Sequence, residues 1–233
     1  MKPIFDRKTN ITIVGSIGVL SLSLLAFADI TVVQKMKSAQ PKGMPAVRQT
    51  ISVKKDKAKV DFMGVYLIVD LQRAKVYWVF PSKNEASVGP SAKWNASGNI
   101  EKLTGKKPSV KKTGQAKMIN GFRCNQYVWS IIMPNSVDWV VDYWVTQDLN
   151  PEEFERFVPF THTDFELPNI EDLRLIKGFP IRTEMKFVDH RSPSHISEDW
   201  GYTTEVEKIT HDPIPDSTFS IPKGFKIIEQ KLP

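Results

Sequence analysis

The sequence predicts a mainly-β, antiparallel domain carrying one or two short helices, and three observations lead there. Apolar residues alternate with a period of two over most of the chain, turn-forming residues interrupt the alternation at intervals of about ten, and helix-length apolar stripes are scarce. Alternation of that period puts successive side chains on opposite faces of a strand, so each segment has one face to bury and one to wet.

The chain opens differently. "MKPIFDRKTN" sets Lys2, Arg7 and Lys8 against Asp6, and "ITIVGSIGVLSLSLLAFA" then runs from Ile11 to Ala28 without a charge. A basic start, a long apolar middle and the small-x-small ending Ala26-Phe27-Ala28 form a secretory leader, with cleavage expected after Ala28 and a mature start at Asp29. The competing reading is an inner-membrane anchor over 11–28, because that run approaches the roughly 18 to 20 residues that span a bilayer. Gly15, Ser16, Gly18, Ser21 and Ser23 dilute it and favour the leader. No lipobox cysteine is present, so a lipid-anchored start is not expected. Both readings put the remainder outside the cytoplasm, periplasmic or secreted in the first case and tethered in the second.

Residues 29–233 are long enough for a sizeable core, and no linker divides them, so a single domain is expected. Loss of the leader lowers the formal net charge from +6 to +4. That excess suits a solvated surface or weak attraction to anionic lipid, and an exported address argues against nucleic acid. One cysteine, Cys124, permits no internal disulfide, and a monomer held by packing is expected.

Element by element, "DITVVQKMKS" (29–38) and "AVRQTISVKK" (46–55) read as strands separated by Pro41, Gly43 and Pro45. "KVDFMGVYLIVD" (59–70) reads as one strand that turns at "LQRA" into "KVYWVFPS" (75–82). Within it Val60, Phe62, Gly64, Tyr66 and Ile68 share one face and Met63, Val65, Leu67 and Val69 the other. Both faces are apolar, as expected where a curved sheet covers a core and something else covers its back. Residues from about 82 to 114, rich in Gly, Ser and Lys, read as a flexible loop whose Lys102, Lys106, Lys107, Lys111 and Lys112 suit a membrane surface or an acidic partner. Asn120-Gly121 supplies the two positive-φ positions of a tight hairpin joining 115–119 to 122–133. "DWVVDYWVTQDL" (138–149) is a further strand. "NPEEFERFVPF" (150–160) opens with Asn150, Pro151 and two glutamates, the start of a short helix with Phe154, Phe157 and Val158 on its apolar side. A second helical turn is expected near Leu173 and Ile176. Strands over 179–189, 201–212 and 224–229 close the chain, for eight or nine in all.

Four groups of residues carry a family resemblance. They are Gly121 and Cys124; Trp144, Val145, Asp148 and Leu149; Gly178, Phe179 and Pro180; and the closing Pro215, Asp216, Phe219, Pro222, Gly224 and Phe225. In this order they resemble a family of bacterial exported domains of unknown function, over most of residues 50 to 230. That family is similar to the periplasmic lipoprotein-carrier (LolA/LppX-like) superfamily. The resemblance implies a strongly bent, unclosed half-barrel with short helices over its apolar mouth and a site for a hydrophobic ligand.

The aromatic content agrees with such a site. Trp78, Trp129, Trp139, Trp144, Tyr66, Tyr77, Tyr127 and Tyr143 all fall on expected strands, and Trp and Tyr combine an apolar body with a polar edge that suits the wall of a concave site. Asp142 marks the outer face of its strand, which turns Trp139, Val141 and Tyr143 inward. The expected ligand-binding wall is Phe62, Tyr66, Trp78, Trp139, Val141, Tyr143, Phe154, Phe157 and Met185. His162, His190, His195 and His211 lack metal-ligand spacing, and no nucleophile elbow or phosphate loop occurs. No catalytic residue, metal or cofactor is therefore expected. The function expected is non-catalytic binding of a lipid, an acyl chain or another apolar ligand in the cell envelope. The rival is a protein–protein interaction or sensor module with a filled core. Cys124, on a strand with no adjacent base or helix terminus, is expected to pack rather than react.

Overall fold

Two meanders of alternating sequence meet along one ladder to make a single sheet of twelve strands. The structure, a computed structural model, describes residues 29–38, 45–90, 106–132, 137–149, 174–189 and 196–229. The first meander is β1 (Ile30–Ser38), β2 (Val47–Lys54), β3 (Lys57–Phe62), β4 (Val65–Asp70), β5 (Lys75–Phe80) and β6 (Glu85–Pro90). The second is β7 (Ser109–Ile119), β8 (Phe122–Ile132), β9 (Val137–Thr146), β10 (Phe179–Asp189) and β11 (Ile196–Thr210), and a short β12 (Lys226–Glu229) ends the chain. The order across the sheet is β12-β6-β5-β4-β3-β2-β1-β11-β10-β9-β8-β7, antiparallel throughout except where β12 runs parallel to β6. Strands β12 and β7 form the two edges, and the sheet does not close.

The sheet curves around its inner face. Ile30, Val32, Ile51, Val53, Val60, Leu67 and Val69 of the first meander share one buried cluster with Trp129, Val141, Tyr143, Val145, Ile181 and Val206 of the second. The register is irregular between β1 and β11 at Val33/Gln34, between β10 and β11 at Lys186/Phe187, between β10 and β9 at Pro180 to Arg182, and between β7 and β8 at Lys112/Ala116, and a bulge raises local twist and bends its strand.

Several expectations change. The strand read over 59–70 is two strands, because Met63 (φ 50) and Gly64 (φ 81) make a two-residue turn between β3 and β4. Both central residues have the positive φ that a tight hairpin needs, and methionine gives no sign of it in sequence. The turn reverses the pattern beyond it: Asp61 stands opposite Tyr66 and Phe62 opposite Val65, so Tyr66 and Phe62 lie on different faces. The loop read over 82–114 is shorter at both ends. Ala86 and Val88 of β6 are buried, and β7 begins at Ser109. β7 is an edge strand whose residues 111 to 118 are all exposed, so it has no apolar alternation to betray it. Among the described residues the helical elements are two 3₁₀ turns, Pro81–Lys83 and Asp216–Phe219, and the single residue Arg174 beside the turn expected near Ile176 is helical as well. The helix expected over 150–160 lies outside the described residues, as do the leader and Leu173, whereas Ile176 is buried. The hairpin at Asn120 (φ 50) and Gly121 (φ 84) is as read.

The doubly apolar strand β4 receives its second cover from the end of the chain. Leu67 and Val69 point into the main core, while Ile68 packs with Val79 and Ala86 against Ile214 and Phe219 on the back of the sheet. Residues 211–225 thus form a strap over β4, β5 and β6 that delivers β12 to their edge. A polar clasp anchors its start. The Asp29 carboxylate accepts the Ile214 N–H at 2.7 Å, and Lys54 Nζ donates to the Ile214 carbonyl at 2.6 Å while pairing with Asp216 at 2.9 Å. The Lys54 hydrogen bond holds Asp216 below the usual carboxylate range, and the same bond raises Lys54. The Asp216 contribution is therefore present above its ordinary value of 3.8 and is lost as pH falls through the lowered one. The Lys54 contribution is present below 10.5 and is lost as pH rises through the raised value.

Two predictions test this architecture. A Cβ at Gly178 would lie 2.3 Å from the Thr146 carbonyl oxygen, and one at Gly201 would lie 2.2 Å from that of Met185. Both contacts are with backbone, so Gly178→Ala and Gly201→Ala should each lower unfolding free energy in urea by about 2–3 kcal/mol. Replacing Lys54 by Met should leave the inner core intact but speed proteolysis within 211–225 at neutral pH, whereas the wild-type strap should become equally sensitive only in strong acid or strong base.

Candidate functional site

Because side chains alternate along every strand, the register fixes which residues share the inner face. Continuous cross-strand rows run through it: Val32, Ile51, Val60, Leu67 and Trp78 from β1 to β5, and Tyr202, Met185, Val141, Trp129 and Val110 from β11 to β7. The aliphatic part of this face, around Ile30, Val53, Ala58 and Val69, is fully buried. Toward the other strand ends the aromatic residues are only half-buried: Phe62, Trp78, Trp139, Phe187 and Tyr202. A large apolar side chain left partly open at the rim of a concave sheet is the arrangement from which hydrophobic sites are built. Trp139 and Phe187 stand opposite each other on β9 and β10 and meet edge to face, with ring centroids 5.3 Å apart and planes at 83°.

The structure separates the residues expected to line the wall. Phe62, Trp78, Trp139, Val141, Tyr143 and Met185 all lie on the inner face. Met185 is directly opposite Val141, which brings those two together with the Trp139–Phe187 pair along adjoining strands. Tyr66 lies on the outer face, with the Lys59 ammonium 4.2 Å from its ring centroid, and burial followed by the nearby Asp61 charge raises its phenol pKa. Phe154 and Phe157 lie outside the described residues. Sequence pattern does not single out Phe187 and Tyr202 as wall residues. Pairing the two segments antiparallel would have found Phe187, since it is the residue opposite Trp139.

The inner face also carries polar groups. Gln34 of β1 and Gln49 of β2 stand opposite each other, and Gln34 Nε2 donates to Gln49 Oε1. Gln49 is only 5% exposed. Across the seam Thr204 is opposite Thr183, Thr183 opposite Tyr143, and Tyr143 opposite Tyr127.

On the outer face the polar residues pair with one another. Asp142 accepts from Lys186 Nζ at 2.7 Å and from Gln126 at 3.3 Å, while Arg182 pairs with Glu184 at 2.6 Å and with Glu205 at 3.3 Å. Pairs of this kind satisfy the charges of a solvated sheet face and contribute little each to stability. Asp142 points outward, as its strand pattern implies. Cys124 lies on this outer side too, opposite Thr146 and fully buried. Burial, reinforced by the Asp148 charge and opposed by Lys117, pushes its thiol up to about 11. That excludes a thiolate nucleophile near neutrality. No group of three or more His, Cys, Asp and Glu side chains suited to a metal ion occurs among the described residues.

Residues 33–225 match the domain of unknown function DUF4412. The chain belongs to the DUF4412 family. The motifs of Gly121 and Cys124, Gly178 to Pro180 and Pro215 to Phe225 all lie within the matched span. No curated protein matches the sequence. Among solved structures, this DUF4412 chain is similar to PNGF-II at 13% identity and a TM-score of 0.43, covering 87% of this chain and 32% of that one. It is similar to MucB at 6% identity and a TM-score of 0.42, covering 87% of this chain and 60% of that one. A Vibrio parahaemolyticus domain described as outer membrane lipoprotein-sorting matches at 10% identity and a TM-score of 0.33, covering 82% of this chain and 89% of that one. The DUF4412 chain thus spans about a third of the length of PNGF-II and three fifths of MucB.

The state of Cys124 is directly measurable. A thiol titrating near 11 and fully buried should react with an aromatic disulfide reagent at pH 8 at least a hundredfold more slowly than an unstructured cysteine. Labelling should become stoichiometric and fast in denaturant.

Proposed function

We propose that the inner face of this sheet binds the apolar part of a lipid, an acyl chain or a similar hydrophobic ligand outside the cytoplasm, without catalysing a reaction on it. The observation that carries the reading is the set of half-buried aromatics, Phe62, Trp78, Trp139, Phe187 and Tyr202, on a face whose aliphatic centre, around Ile30, Val53, Ala58 and Val69, is buried. Leaving such rings partly in water is unfavourable by roughly 25 cal/mol for each Å² of apolar surface, so a ligand that covers them is stabilised by that release. The export leader read over residues 1–28 supports an envelope location, and no described helix is long and apolar enough to cross a membrane. The protein acts as a monomer that holds its ligand against the inner face of the sheet.

Native mass spectrometry of protein purified without detergent should show adducts in the mass range of lipids. After delipidation, the protein should bind fluorescent acyl probes saturably. Trp139→Ala combined with Phe187→Ala should weaken that binding by roughly tenfold, since the pair contributes both area and ring contact. Absence of adducts together with absence of saturable binding would reject the reading.

A second reading rests on β7. Lys111, Lys112 and Lys117 are exposed on this edge strand, next to the equally exposed Met118, an arrangement suited to an acidic envelope partner. Cross-linking in intact cells from a residue placed on β7 separates the two, because this version requires a stable protein adduct and is indifferent to lipid.

A further inference from the structure

We infer that the inner face contains a polar subsite, a band of hydrogen-bonding side chains that selects ligands with an ester or amide linkage over plain hydrocarbon. The inference rests on the hydrophobic-ligand reading and specifies its chemistry. The band starts at the Gln34–Gln49 pair and crosses the β1–β11 seam to Thr204, then continues through Thr183, Tyr143 and Tyr127. The last four are directly opposite one another in sequence of strands. Gln34 is the diagonal neighbour of Thr204, since Gln34 faces Val206 and Met36 faces Thr204. Diagonal neighbours on one sheet face lie about 7–8 Å apart, within reach of side chains of this length.

Polar residues scattered over an apolar wall would be an ordinary consequence of a wet surface. These are continuous across six strands, and half of them, Gln49, Tyr127 and Tyr143, are buried. Apolar residues flank the band on both sides, Val32 and Ile51 beyond the glutamines and Val141, Met185 and Trp129 beyond the hydroxyls. The single bond within the glutamine pair uses one donor and one acceptor, Gln34 Nε2 and Gln49 Oε1. An amide side chain has two N–H donors and a carbonyl, so the Gln49 amino group and the Gln34 carbonyl are left as the pair's further hydrogen-bonding capacity. A donor beside an acceptor matches an amide linkage in full and an ester in its carbonyl. A ligand lying across the band would keep hydrocarbon on the apolar rows and place its linkage where hydrocarbon alone would bury polar groups unsatisfied.

The test uses displacement of the apolar dye N-phenyl-1-naphthylamine from delipidated protein by methyl laurate, N-methyl lauramide and tridecane, each corrected for its partition between water and hydrocarbon. Wild type should be displaced by the two polar-linked compounds at about tenfold lower corrected concentration than by tridecane, the effect of one or two buried hydrogen bonds. In Gln34→Leu/Gln49→Leu, which removes both partners and leaves no orphan, that ratio should fall to near one while tridecane binds more tightly. Thr183→Val keeps size and β-branching and should reduce the ratio about threefold even if the double variant does not fold. Equal corrected displacement by all three compounds in wild type, or an unchanged ratio in the foldable variants, overturns the polar subsite and leaves the hydrophobic-ligand reading standing. Failure of every compound and of the dye to bind overturns both.

Discussion

β1 and β11 are far apart in the chain, and the pairs between them, from Thr31 opposite Thr210 to Ser38 opposite Tyr202, hold two independent meanders in one sheet. Connections inside a meander are short except for residues 147–178 between β9 and β10, so each half can form its hairpins without the other. The core cannot form that way. Ile30 and Val32 on one side of the seam and Val206 on the other are buried in the same cluster, and their burial requires the ladder. The pairing is also where the sheet bends. The register slips between Val33 and Gln34, so that Val33 faces Lys208 and Gln34 faces Val206, with Glu207 as the extra residue. Glu207 is not left unpaired, because Arg48 of β2 reaches it at 2.8 Å on the outer face. The seam thereby sets curvature inside and closes its own defect outside. Because the ladder joins strands from the two ends of the described chain, its loop-closure entropy is offset only when nearly the whole sheet is present.

Where alternation and turn chemistry agreed, the sequence was sufficient. The Asn120-Gly121 hairpin, the outward Asp142 and the inward Trp139, Val141 and Tyr143 follow from period two and from residues that tolerate positive φ. The failures share a cause, which is that the deciding fact was a turn or a partner rather than a pattern. Met63 adopts φ 50 without any sequence signal, and one unrecognised turn moved Tyr66 to the other face. In β7, Lys111 and Lys112 sit at an edge with both faces wet, so a strand there looks like a loop. Phe187 became visible only once β9 and β10 were laid side by side. Site residues are harder to read than fold residues for the same reason: their role depends on cross-strand neighbours, which periodicity does not reveal.

The closing motif shows how a specific signature can belong to the fold rather than to the site. Pro215, Asp216, Phe219, Pro222, Gly224 and Phe225 lie on the strap, where Phe219 joins the outer cluster and Asp216 joins the clasp with Lys54. Gly224 takes φ 86 at the turn into β12. None of these side chains touches the inner face. Their pattern follows from the need to cover the back of β4, which is apolar on both sides, and to bring β12 to β6. Features that distinguish one ligand from another must then be sought among inner-face residues that the motif does not contain.

Among those residues the part-buried Gln34–Gln49 pair also has a purely structural use. Opposed amides can fix register, since a one-residue slip would orphan them. Here that use is weak. The register of β1 with β2 is already specified by Ile30 opposite Val53 and Val32 opposite Ile51, all buried, and a one-residue slip of β1 would turn Ile30 and Val32 to the outer face. The bulge next to Gln34 and the ladder on its other side pin β1 a second time. A register device adds little at a position fixed twice over. An apolar pair there would fill the core equally well, so the retention of two amides on this face is better explained by what they present to its interior than by what they do for the strand.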